Sequence, residues 1–357
     1  MQSRRIRVSS LVWKRSAQGA RVSARVDGRR INFETQDVEL CPAPEALGSC
    51  FLIPALHAQR ALELSEPVCT TWCENAKAVL ALATQWWSYP PVEPVFHRGE
   101  ASSRRADRTA LCFTCGVDSF HSLLCAEAPI DGLATVLGYD VSLKDRPRLR
   151  SLENSVRRVA AHFDVKPLIV TSNLRCRRAF TLCPWERSHG GALAAIGHLL
   201  SDHYDRLIIS SSIMRDEKAP WGSHWQLDHR FSSCAMTVVH HGERFDRVAK
   251  LSKIAHEPIV RRHLRVCWEH RNSAANCGAC EKCVRTMCIL DACGQLGRFS
   301  TFQLVGRLDH AIDALASAPV PAQDVYRRLL ELGLSSSNQS AVVRLLARSE
   351  RPQYAAA

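Results

Sequence analysis

Four cysteines, Cys267, Cys277, Cys280 and Cys283, are spaced C-x9-C-x2-C-x2-C within CWEHRNSAANCGACEKC. Three thiolates on a tight loop, with a fourth arriving from the preceding turn, are what a closed tetrahedral metal site requires. A four-thiolate shell leaves no open position for water or substrate, so the expected occupant is structural Zn2+. A [4Fe–4S] cluster takes the same four ligands, and four ordinary buried thiols are the bland alternative. His256-Glu257 adds no second metal site: Pro258 follows, the next histidine is His263, and the H-E-x-x-H geometry is absent.

A second segment able to do chemistry is Phe113-Thr114-Cys115-Gly116-Val117-Asp118-Ser119-Phe120, followed at once by the helix-like HSLLCAEA. A small, hydroxyl-flanked turn that opens a helix presents backbone N–H groups and the positive helix end to a phosphate. Thr114 and Ser119 supply hydroxyls for phosphoryl oxygens, Gly116 permits close approach, and Asp118 is a carboxylate that can help hold Mg2+. Neither G-x4-G-K-[ST] nor G-x-G-x-x-G is present. A plain strand-to-helix turn with Ser119 as a capping residue is the structural alternative. Further on, His224, Asp228 and His229 in GSHWQLDHRFSS make a polar, aromatic-bearing loop suited to a substrate pocket, or equally a satisfied surface loop.

These segments need elements to position them. Apolar runs at 109–114, 133–139, 167–171 and 206–210 are separated by helix-period segments at 119–127, 149–163 and 190–204. The β-α-β-α-β-α-β alternation predicts an α/β fold with a doubly wound, mostly parallel sheet, and places ligands outside the carboxyl ends of its strands. Residues 6–38 read as strands around an Asp27-Gly28 hairpin turn, and 72–87 as a helix ended by Tyr89-Pro90-Pro91. The basic stretch 98–108 reads as a linker. The expected division is therefore an N-terminal α+β accessory domain (1–105), an α/β domain (106–265), a four-cysteine module (266–300) and a C-terminal helical extension (301–357).

Length and charge bound the function. A chain of 357 residues, 46% hydrophobic and 23% charged, is long enough for a sizeable core and about two domains. The start MQSRRIRVSSLVW has no apolar h-region and no run of about 18 apolar residues follows, so a soluble, cytoplasmic protein without a membrane partner is expected. Sixteen cysteines dispersed over such a chain suit reduced thiols better than disulfides. The net charge of +12 admits nucleic acid. Nucleic acid is not the favoured partner, however, because the basic pairs Arg4-Arg5, Arg29-Arg30, Arg104-Arg105, Arg177-Arg178 and Arg261-Arg262 are spread out, and a triphosphate site would also favour positive potential.

Taken together, the two motifs carry a resemblance over about residues 109–290. TCGVDS resembles the SGGxDS signature of the PP-loop ATP pyrophosphatases, and the cysteine cluster looks like the zinc site of the 7-cyano-7-deazaguanine synthase family within them. The resemblance implies an adenine nucleotide alpha hydrolase-like fold, ATP with Mg2+ and Zn2+ as cofactors, and cleavage of ATP to AMP and pyrophosphate as a carboxylate or amide-like oxygen is adenylated. An amine or ammonia then displaces AMP. Residue by residue it implies ATP contacts at Thr114, Cys115, Gly116, Val117, Asp118 and Ser119, with Tyr139 and Arg187 nearby. Asp118, Ser119 and Lys250 are implied in catalysis. His224 and Asp228 are carried as substrate residues from the loop reading above. Cys115 departs from the family by putting a side chain where a glycine lets backbone approach phosphate. The expected substrate is a small molecule such as a deazapurine; relatives also occur in antiphage defence and specialised biosynthesis, where a protein can serve as acceptor. A homodimer is the expected assembly. A tRNA-modifying PP-loop thiolase and a catalytically degenerate, zinc-stabilised interaction protein are the competing readings.

Overall fold

A computed structural model of the chain describes residues 5–17, 19–99, 106–217, 219–269, 275–302 and 306–350. Arg4, Arg104, Arg105 and most of the expected linker lie outside them. The N-terminal half begins with β1 (Arg5–Ser16), β2 (Gly19–Val26) and β3 (Arg29–Thr35), then α1 (Pro44–His57), β4 (Ala61–Leu64), β5 (Val68–Cys69), α2 (Thr70–Trp87) and β6 (Arg98–Gly99). Next come β7 (Thr109–Cys112), α3 (Val117–Cys125), β8 (Gly132–Leu137), α4 (Arg146–His162), β9 (Lys166–Ser172), α5 (Arg178–Thr181), α6 (Trp185–Leu199), β10 (Arg206–Ser210) and β11 (Thr237–His241). The chain continues with α7 (Arg247–Ile254), α8 (Pro258–His263), α9 (Glu281–Ala292), α10 (Leu308–Asp313), α11 (Val320–Leu332) and α12 (Ser336–Ser349).

Nine strands form one sheet in the order β11-β10-β7-β8-β9-β3-β2-β1-β4. From β11 to β9 every pairing is parallel. β8 (GLATVL) is buried along its whole length, the continuous apolar run of a strand covered on both faces. β1–β3 form an antiparallel meander whose turn holds Asp27 (φ 47°) and Gly28 (φ 75°) in the left-handed region, the geometry that matches hairpin twist. This meander is not a separate sheet. Phe33 and Glu34 of β3 pair antiparallel with Ser172 and Thr171 of β9, so the boundary near residue 105 falls between strands of one continuous sheet.

Helices cover both faces. One face carries α1, α2 and α6 over a core that runs from Ile6 and Phe33 through Phe51 and Trp72 to Ile209 and Phe231, again mixing the first hundred residues with the α/β region. The other carries α3, α4, α7 and the C-terminal helices, and its core joins Leu111, Phe113 and Cys115 to Cys280, Cys283, Ile289, Tyr326 and Leu345. The cysteine module and the C-terminal helices are thus packed onto the sheet. Among the described residues no helix is long and apolar enough to cross a membrane.

Candidate functional site

The strand order reverses between β7 and β10: the chain proceeds outward from β7 through β8 and β9, then returns to the other side of β7 as β10. A crevice outside the carboxyl ends of such a strand pair is where open α/β sheets take ligands. The loop after β7 opens α3 there. Gly116 is the N-cap residue, and Ser119 Oγ lies 3.1 Å from both its N–H, which donates to the hydroxyl, and its C=O, which accepts from it. Cys115 adopts φ 58° and is completely buried in the core beneath α3. Its side chain therefore fills core volume. Burial pushes its thiol up to about 12, against a smaller opposing effect of Arg265.

Asp118, in the first turn of α3, receives Arg247 Nη2 at 2.8 Å and Lys250 Nζ at 3.3 Å from α7. Lys250 also donates to the Ser211 carbonyl at 2.6 Å, which fixes its ammonium at the end of β10. Burial alone would raise the Asp118 carboxyl, but Arg247, Lys250 and Lys282 together outweigh it and hold the group below its ordinary range. Lys250, 2% exposed, is drawn down by burial, with the repulsion of Arg247 adding to it and Asp118 opposing. His121 lies one turn along α3, buried, with neither ring nitrogen hydrogen-bonded among the described residues. Burial first, then the nearby Lys250, His241 and Lys253, lower it to about 4. A β-carbon on Gly242 would stand 3.4 Å from His121 Nδ1 and 3.7 Å from Lys250 Nζ, and the φ of +90° there favours glycine in any case.

On the other side of the sheet's carboxyl edge lies a second cluster. Asp228 is fully buried and accepts from Ser223 Oγ (2.7 Å), the His224 N–H (3.2 Å) and His240 Nδ1 (2.7 Å). His240 Nε2 is buried and has no hydrogen-bond partner among the described residues. The alternation of β11 explains the split: His240 turns toward Asp228, while His241 turns toward α3 and meets Ser122 Oγ at 2.9 Å. Around this cluster stand Trp86 against His224, Trp221 against His189 and Trp185 against Tyr139. Gly190 in α6 makes room for it: a β-carbon there would meet the Gly222 carbonyl at 2.0 Å.

The four cysteines converge. Their Sγ atoms all lie within 4.8 Å of one another, with Cys267 to Cys280 at 4.0 Å and Cys277 to Cys283 at 3.9 Å. A zinc–sulfur bond of about 2.3 Å implies a tetrahedral edge of about 3.8 Å, so the set could hold one ion such as zinc. In a [4Fe–4S] cluster each thiolate sits on a different iron and the sulfurs stand farther apart. Asn276 braces the ligand loops: its Oδ1 accepts from the Val266 and Cys267 N–H groups at 2.7 and 3.2 Å, and its amide donates to the Leu264 carbonyl. Cys280 is also the N-cap of α9, so the site fixes the first turn of that helix, from which Lys282 and Arg285 act on Asp118.

The structure thus gathers Asp118, Ser119 and Lys250 at one helix start and Asp228 with His224 in one buried network. Tyr139 is turned into the core, its hydroxyl donating to the Ala192 carbonyl at 3.0 Å. Arg187 is engaged by the Tyr89 hydroxyl and lies over the Trp87 ring, on the α6 side of the sheet and not in the α3 pocket. His229 is exposed. Sequence reasoning missed Arg247, Lys282, His121 and His240. Lys282 lay inside the cysteine motif, Arg247 sits in a polar stretch that reads as a solvated helix face, and His121 and His240 sit in apolar segments where a lone histidine reads as core. Comparison with protein-family models, curated proteins and solved structures finds no match to this chain.

Proposed function

We propose that this α/β protein is an ATP pyrophosphatase of the 7-cyano-7-deazaguanine synthase type. On this reading it adenylates a carboxylate or amide-like oxygen, releases pyrophosphate, and lets an amine or ammonia displace AMP. The observation that carries the reading is the arrangement around Asp118: a helix start in the crevice between β7 and β10, faced by Arg247 and Lys250. Charge building on a departing pyrophosphate is what such fixed cations and amide dipoles stabilise. The N–H groups of the first turn of α3 and the Lys250 ammonium would hold the phosphates. Asp118 would hold the two cations in register through its two oxygens.

Mg2+ does not fit the Asp118 carboxylate as it stands, since both oxygens are already ion-paired; no step is assigned to a protein-bound magnesium. Zn2+ fits the four cysteines and would supply structure alone, there being no open coordination position. The buried Cys115 thiol offers no support for a sulfur-transfer reading. Supply of Mg-ATP, a deazaguanine carboxylate and ammonium should give AMP and pyrophosphate, and Asp118→Asn should lower that turnover far more than it lowers stability. ADP and phosphate as products, or no nucleotide binding, would overturn the reading.

A further inference from the structure

On the face of the sheet that carries α3, α4 and α7, the helices stop short of the β1–β3 meander: among the described residues their core takes nothing from β1, β2 or β3. The strand register decides which side chains stand on this bare face. Lys14 is opposite Arg21, Arg21 is opposite Glu34, and Glu34 is opposite Thr171 of β9. Arg25 is opposite both Ser9 and Arg30, and Arg7 is opposite Glu63 of β4. By the two-residue alternation of strands, Arg5, Arg7, Lys14, Arg21, Arg25 and Arg30 share the face, and all six are exposed. Arg5 and Arg30, far apart in sequence, thus meet in one patch. Two carboxylates stand among these cations: Glu63 takes both Arg5 and Arg7, at 3.1 and 3.0 Å, and Glu34 takes Arg21 at 3.0 Å. Arg25 donates to the Gly28 carbonyl at 2.9 Å, and neither it nor Lys14 nor Arg30 has an ion-pair partner among the described residues.

Like charges therefore sit directly across from one another in two places, Lys14 with Arg21 and Arg25 with Arg30, an arrangement that destabilises a sheet. Protection of an open edge accounts for Lys14 alone, on the half of β1 beyond its pairing with β4, which ends at Val8. Arg21, Arg25 and Arg30 lie on interior strands. A bare face that holds such charges side by side against their repulsion is matched by a polyanion. The face carries no aromatic ring; Trp13, opposite Val22, is on the other one. It has no platform on which splayed bases could stack, so its contacts go to phosphates.

We infer that the open face of β1–β3 is a docking surface for the phosphate backbone of a nucleic-acid duplex, held by charge without reading sequence. Cations two residues apart on a strand are about 6.7 Å apart and neighbouring strands about 4.8 Å, a density suited to a duplex that carries one charge per about 1.7 Å of its axis. The surface lies beyond β9 from the β7–β10 crevice, and the inference does not depend on what that crevice binds.

The test is fluorescence anisotropy of the full chain with short labelled duplexes of mixed sequence, DNA and RNA, over a range of salt concentrations. Both duplexes should bind with Kd of about a micromolar near physiological salt, and changing their sequence should not matter. Lys14→Gln, Arg25→Gln and Arg30→Gln together should weaken binding about tenfold or more and flatten the plot of log K against log salt by about 2 to 3, one counter-ion per lost cation. Arg25→Lys with Arg30→Lys should keep most of the affinity, since a phosphate answers to charge. Neutralising Arg244, Arg262 and Arg298, which are exposed elsewhere on the molecule, should change little. The first triple variant should melt no lower than the wild type, because it removes the facing like charges. Equal duplex affinity in wild type and that variant would overturn the inference, as would an equal loss from the Arg244, Arg262 and Arg298 changes. Tighter binding of a single-stranded oligothymidylate, or polyglutamate competing as well as the duplex, would place a different partner on this face and overturn it too.

Discussion

His240 Nδ1 and Asp228 Oδ2 are 2.7 Å apart, with the His240 side chain 4% exposed and Asp228 fully buried. The same carboxylate holds the Ser223 hydroxyl and the His224 N–H. Asp228→Ala would leave three buried donors without an acceptor, each costing about 1–3 kcal/mol. We expect a loss of about 3 kcal/mol or more in urea unfolding. Asp228→Asn, which keeps one carbonyl oxygen, should lose less. Equal stability of wild type and Asp228→Ala would show that the network does not hold the 221–231 segment.

At Cys115 two effects oppose one another. Its φ of 58° favours glycine by about 1 kcal/mol, but Cys115→Gly also removes a fully buried side chain and loosens the unfolded chain, together about 1–2 kcal/mol. The expected net is a small destabilisation, below about 1 kcal/mol, with ATP cleavage retained because the thiol points into the core. The native thiol, pushed up to about 12, should resist iodoacetamide at neutral pH. Rapid labelling of Cys115 in the folded protein would contradict its placement.

Acid should act on this site in two stages. His121 is lowered to about 4 by burial, so the unfolded chain binds its proton first and stability falls as pH drops from about 6.5 toward 4. Asp118 is held below its ordinary value; its stabilising contribution is complete above that value and is lost as pH falls through the lower, folded one. His121→Phe should flatten the first stage and Asp118→Asn the second, read from unfolding midpoints across the pH range. Unchanged pH profiles in both variants would show that other groups dominate.

The cysteine geometry could hold one ion per chain. Purified protein should contain about one zinc, and Cys280→Ser should lower solubility and melting temperature, since binding at such a site is also folding free energy. A metal-free chain that melts like the loaded one would show four structural thiols only.

Much of this was legible because it depends on short-range pattern. Strand runs at 109–114 and 206–210, the Asp27-Gly28 turn and the cysteine spacing each encode a local geometry, and the structure has β7, β10, the β2–β3 hairpin and a single thiol cluster there. What was not legible is long-range. Nothing in INFETQ or PLIVT announces that Phe33 pairs with Ser172, so the first hundred residues read as a separate domain. His240 gave no signal either, because a histidine becomes an oriented pair only when a carboxylate twelve residues away is folded against it.

That β3–β9 pairing bears on how the chain is made. During synthesis β1, β2 and β3 emerge more than a hundred residues before the strand that receives them, and the helices of their core face wait for α6. The hairpins can form early from local contacts, but the edge of β3 stays unpaired until β9 leaves the ribosome, and α1, which packs on β1 and β4, lacks its partner α6 until later still. Delivery of an intact chain should therefore depend on holding that early meander apart from other nascent strands. Starting translation near residue 106 would leave β9 with a bare edge of its own.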